Sequence, residues 1–258
     1  MNLTKRHKII TASTLITIGL LSTQFVNIFH VSYRLFLPLG ILAYLLSLWA
    51  LWENMSKLKA VVLMILPVMF TVAVASFYFL LPIRWLTRFP VIILFFLSFY
   101  SLLLSQNVFN VAAQRTIPLY RAASTVGFLF TLITAFFLFN VTFALKMPFY
   151  INALVVFIIS FPLNLQLLWS VEMEKVDTTI LVYSLILSCL VGEVALALSF
   201  WPVAPTIWSL SLSAIIYVTL GVVTEYMRDR LTRKITWEYI GIGGLVLLFS
   251  MLVTSWGA

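Results

Sequence analysis

With 63% of its 258 residues hydrophobic and only 9% charged, this chain is excluded from the ordinary soluble domains, in which about 25% of residues are charged. Its net charge of +8 does not point to nucleic acid, because the basic residues fall in short turns between apolar runs rather than on a solvated face. Its single cysteine, Cys189, excludes an internal disulfide framework and a multi-cysteine metal site.

The apolar runs are about 20 residues long, the length a helix needs to cross ~30 Å of hydrocarbon. Nothing between them is long or polar enough to fold in water. The pattern predicts one polytopic domain over 1–258, an all-α integral membrane protein with about nine transmembrane helices and short loops.

After a basic start (Lys5, Arg6, Lys8), the run over 9–29 reads as a first span. It is too long for a cleaved signal, and no small-residue cleavage site follows it. A turn with His30 and Arg34 leads to the second span, 35–52, and the charged turn 53–59 to the third, 60–81, where Pro67 is expected to produce a kink. The fourth begins near Phe89, and its apolar part ends near Leu104. Helix is expected beyond that point, since Gln106, Asn110 and Gln114 at i, i+4, i+8 line one face. The fifth span covers 122–145 and the sixth 149–169, interrupted at Pro162. An acidic turn over 172–177 precedes the seventh, 181–200; the eighth follows at 207–223. A charged connector over 225–238 leads to the ninth, 239–253. The similar segments PLYRAA (118–123) and PFYINA (148–153) both open spans, but proline at a helix start is common for its own reasons. They are weak grounds for a repeat.

Nine spans place the termini on opposite sides. With the N-terminus cytoplasmic, Lys5, Arg6, Lys8, Lys57, Lys59, Arg115, Arg121, Lys175, Arg228, Arg230, Arg233 and Lys234 fall inside. Only Arg34, Arg84, Arg88 and Lys146, of the 16 basic residues, fall outside. That is the bias that orients membrane proteins, and all eight tryptophans fall at or near span ends, where indole prefers to sit. The expectation is a multi-pass protein of the prokaryotic plasma membrane, C-terminus outside.

Three groups of residues carry candidate chemistry. Glu193 is the one acid inside a long apolar run. With Arg84, Arg88 and Arg34 it would form a site for a proton, a cation or a polar solute, or else be the structural partner of a basic outer-turn residue: His30, Arg34, Arg84, Arg88 or Lys146. Gln106, Asn110, Gln114 and Asn164, with Asn107 and Gln166, would line a polar vestibule at the Pro162 break or serve as amide ties between helices. Arg228, Arg230, Arg233 and Lys234 would contact anionic lipid headgroups from a short surface helix, or merely set topology.

Enzyme chemistry finds little support. His7 and His30 are threaded to opposite sides, and no nucleophile, phosphate-loop or metal motif occurs. No cofactor or metal is expected. The first expectation is a non-catalytic membrane subunit or lipid-interacting scaffold, the second a small-solute or proton-coupled carrier using Glu193, the third a lipid-modifying enzyme. Expected partners are membrane lipids, other membrane subunits or a second copy, and not nucleic acid.

Overall fold

The computed structural model describes residues 4–26, 36–53, 55–80, 85–111, 117–173 and 176–254. Among them it has nine α-helices and no strand. They are α1 (Lys5–Val26), α2 (Phe36–Leu51), α3 (Lys57–Leu80), α4 (Trp85–Val111), α5 (Ile117–Ala144), α6 (Phe149–Glu172), α7 (Thr178–Leu198), α8 (Pro205–Met227) and α9 (Arg233–Val253).

In hydrocarbon no water is available to a free N–H or C=O, so a chain this apolar closes its backbone bonds within helices. Helices α3 to α9 have 21 to 28 residues, which at 1.5 Å each is roughly 31–42 Å. All seven are long and apolar enough to cross a membrane. Helix α2 has the composition but only 16 residues, roughly 24 Å. Helix α1 is diluted by its KRHK opening and its row of hydroxyls. The nine predicted helices are therefore present, and seven have full span character.

Hydroxyls inside the spans do not oppose burial. Ser13 Oγ donates to the Ile9 carbonyl at 2.9 Å and Thr17 Oγ1 to that of Ser13 at 2.7 Å. The same bond to the preceding turn recurs at Thr71, Thr131, Ser184 and Ser213. A hydroxyl used within its own helix needs no partner from outside it.

Two expectations are corrected. Helix α6 runs unbroken through Pro162, as α3 does through Pro67, because one missing N–H is tolerated where neighbouring turns and helices hold the rest. The connector over 225–238 forms no surface helix of its own. Instead α8 extends to Met227 and α9 starts at Arg233, capped by Thr232 Oγ1, which accepts from the Ile235 N–H at 3.3 Å. Between them Asp229 adopts φ 54°, the left-handed conformation in which helices commonly end.

Two compact units divide the chain, Met1–Thr134 and Ala135–Ala258, with the boundary inside α5. In the first, α1 and α3 each pack on both α2 and α4, so the four helices close into a ring. Its interior holds Ile9, Ile16, Leu20, Leu63 and an aromatic chain. Phe70 stacks on Phe95 at 5.9 Å and meets Phe130 of α5 edge-on at 5.3 Å; Phe95 stacks on Phe99 at 5.7 Å.

The second unit packs α6 on α7, α7 on α8 and α8 on α9, with a smaller contact of α6 on α8. The α6–α7 pair is the most extensive, and its sequence explains why. Ser184, Ser188 and Gly192, at i, i+4 and i+8, are all buried. A Cβ at Gly192 would lie 3.3 Å from both the Ala153 carbonyl and Phe157 Cβ. Small residues let the two backbones approach, which is the main source of helix association in lipid. The α8–α9 contact uses one glycine from each helix: the Tyr239 ring covers Gly221, and Val218 fills the notch over Gly243. The α5 segment of this unit is held to α8 by Phe143 stacked on Trp208 at 4.6 Å.

Candidate functional site

Glu193 stands on α7 five residues before its end. The rotation of α7 is set by Gly192 against Ala153 and Phe157 and by Asn164 of α6, whose Nδ2 donates to Ser188 Oγ at 3.0 Å. Ser188 Oγ in turn donates to the Ser184 carbonyl at 2.6 Å. Val191, Gly192 and Ala195 therefore face inward, and Glu193 is exposed among Ile186, Leu190 and Leu196, also exposed. Of its expected basic partners, Arg34 and Arg84 lie outside the described residues, and Arg88 lies in α4 with its side chain outside the described part. Lys146 sits exposed in the α5–α6 turn at φ 51°. Among the described residues no ion pair or hydrogen bond joins Glu193 to another side chain.

Of the amides, Gln106 and Asn110 belong to the first unit and Asn140 and Asn164 to the second. Asn164 ties α6 to α7, and Asn140 Nδ2 of α5 reaches Ser209 Oγ of α8 at 3.4 Å. Gln106 and Asn110 are buried in α4, while Gln114 lies outside the described residues.

Asn110 belongs to a polar group that joins four helices of the first unit. Its Nδ2 donates to the carbonyls of Leu51 at 3.0 Å and Glu53 at 2.9 Å, at and just past the end of α2. Lys59 Nζ, from the first turn of α3, donates to the Asn110 carbonyl at 3.1 Å. Lys8 of α1 pairs with Glu53 Oε1 at 2.8 Å. Carbonyls at helix C-termini lack intrahelical partners and carry partial negative charge. Here an amide closes one such end and an ammonium the other, so four helix ends are fastened at one face. The Lys8 hydrogen bond, then the Lys8 charge, hold the Glu53 carboxyl below its ordinary range against an opposing effect of burial, with a lesser contribution from the charge of Lys5. Sequence reasoning missed Glu53 and Lys59 here. The available signal was an acid in an otherwise basic turn.

At the α8–α9 junction Arg228 is half-buried and pairs with Glu225 at 3.4 Å, one helical turn away. Arg230, Arg233 and Lys234 are exposed, with Lys234 near Glu238 at 3.9 Å. Among the described residues no group of three His, Cys, Asp or Glu side chains converges as metal ligands would.

These helices define an all-α bundle of the membrane-spanning kind. The chain belongs to the family described as proteins of unknown function, DUF5656, whose model matches residues 46–253. The match begins inside α2 and takes in α3 to α9, the seven helices with full span character. No curated protein and no solved structure matches the chain.

Proposed function

We propose that the protein is a non-catalytic subunit or lipid-interacting scaffold of the plasma membrane, with short loops of the prokaryotic kind. The observation that carries this reading is where the interior amides go. Asn110, Asn140 and Asn164 all donate to neighbouring helices, which is the work of packing rather than of a solute path. The acid a carrier would use is turned outward from its own helix pair. The fastened helix ends, with Lys5, Arg6, Lys8, Lys57 and Lys59 around them, face the cytoplasm in this reading, as the positive bias requires. Helices α1 and α2 leave that sidedness unchanged if they cross as a pair or turn back as a pair. Arg230, Arg233 and Lys234 then meet anionic headgroups, each contributing about 1 kcal/mol of attraction.

Reconstitution tests the reading. Liposomes containing the protein should show no proton or small-solute flux above protein-free liposomes, and Glu193→Gln should change nothing. A flux that Glu193→Gln abolishes would overturn the subunit reading in favour of a carrier.

A further inference from the structure

We propose that the outward face of α7 is a docking surface for a transmembrane helix of another polypeptide that carries a lysine or arginine at the depth of Glu193. The inference rests on the subunit reading and names the partner's chemistry.

The geometry leaves the carboxylate no route inward. Gly192 is pressed on Ala153 and Phe157, and Ser188 is bonded to Asn164, so α7 cannot rotate without breaking its tightest contact. Nor is there an easy route to water. Glu193 is five residues before the end of α7, about 7 Å along the axis. A glutamate side chain is too short to extend to the interface as lysine and arginine do. An acid held at that depth is expensive unless something covers it.

The same face is shaped for a close neighbour. Cys189, one turn before Glu193, and Ala197, one turn after it, are both exposed. A small residue on each side of the acid makes a shallow notch in which another helix backbone can approach. Ile186, Leu190 and Leu196 form an apolar rim, exposed by 53%, 37% and 40%. Helix α7 therefore carries two small-residue stripes, one already filled by α6 and one open around a carboxylate.

Charge selects the occupant. A second copy docked through this face by two-fold symmetry would set Glu193 against Glu193, and like charges in one desolvated site oppose each other. A basic side chain instead completes a charge-assisted bond. The complement is thus an apolar segment of about 20 residues with one lysine or arginine within it.

The test places p-benzoylphenylalanine at Leu196 on the rim and irradiates native membranes, with adducts identified by mass spectrometry. The expected adduct joins this chain to an apolar segment of another polypeptide containing a lysine or arginine. Its yield should fall roughly tenfold or more in Glu193→Gln and partly recover in Glu193→Asp, with all variants remaining monodisperse in detergent. Adducts to lipid alone, or only to peptides of this same chain, overturn the inference. So does a partner segment without a basic residue, or a yield indifferent to Glu193→Gln. Lipid-only adducts leave the subunit reading to the flux measurement, so the two fail separately.

Discussion

The two units bury polar side chains in different ways. In the first, the ring of α1 to α4 is fastened at one end by ionic and amide bonds to helix termini: Lys8 to Glu53, Asn110 to Leu51 and Glu53, Lys59 to Asn110. In the second, the series α6 to α9 is held mid-helix by small residues, at Gly192, Gly221 and Gly243, with single amide bonds added. Helix ends lie near water, where charged groups stay solvated until they pair. Mid-span contacts lie in hydrocarbon, where backbone approach matters more than charge. Glu193 is the exception in the second unit, a charge where its neighbours use size.

The largest expected effect attacks a glycine contact. Gly243→Leu would drive a side chain into Val218 and should cost about 3 kcal/mol, since overpacking outweighs the ~1 kcal/mol that leucine gains in helix propensity. Gly241→Leu and Gly244→Leu on the same helix meet nothing within 4 Å and should be neutral or slightly stabilising. Unfolding in detergent, followed by circular dichroism, separates them. Equal losses at all three positions would refute the notch.

A second pair compares the units directly. Asn110→Leu removes two donations and leaves two carbonyls at the end of α2, for an expected loss of about 1–2 kcal/mol. Asn164→Leu removes one donation to a hydroxyl already engaged elsewhere, for roughly 0.6 kcal/mol. The reverse order would mean that the fastened end is less important than the α6–α7 seam.

The smallest effect is one of pH. Because Lys8 lowers the Glu53 pKa from 4.5, the folded state binds this proton less readily than the unfolded chain. Its contribution is complete above about pH 4.5 and is lost as pH falls further. Glu53→Gln should therefore flatten the stability profile below pH 4.5 slightly and leave its shape above that unchanged. A profile identical to that of the unmodified protein would dismiss the pair as a surface contact without consequence.

Much of this architecture is legible in the residues, and the gaps have physical causes. Apolar runs mark hydrocarbon rather than helix, which is why α8 and α9 continue to Met227 and Arg233 through charged residues that simply reach the interface. Thr232 was available as a cap signal at the start of α9. Pro162 reads as a break in water-soluble terms, yet α6 absorbs it. The face of Glu193 could not be read at all: Ser184, Ser188 and Gly192 form one small-residue stripe and Cys189 and Ala197 another, and only the position of α6 shows which is filled. The fastened ends of α2 and α4 join residues 51 to 59 positions apart, beyond any local pattern.

Among the described residues Glu193 has no hydrogen-bond or ion-pair partner in its own chain, which is the premise of the proposed docking surface. Its most direct test is the stability of the isolated protein in lipid nanodiscs, comparing Glu193→Leu with the unmodified chain. The account predicts that the leucine variant is at least as stable, because an apolar side chain suits an uncovered face at that depth. A loss of about 1.5 kcal/mol or more, the lower range for removing a hydrogen bond to a charged group, would show that the carboxylate is bound within the chain and contradict the account.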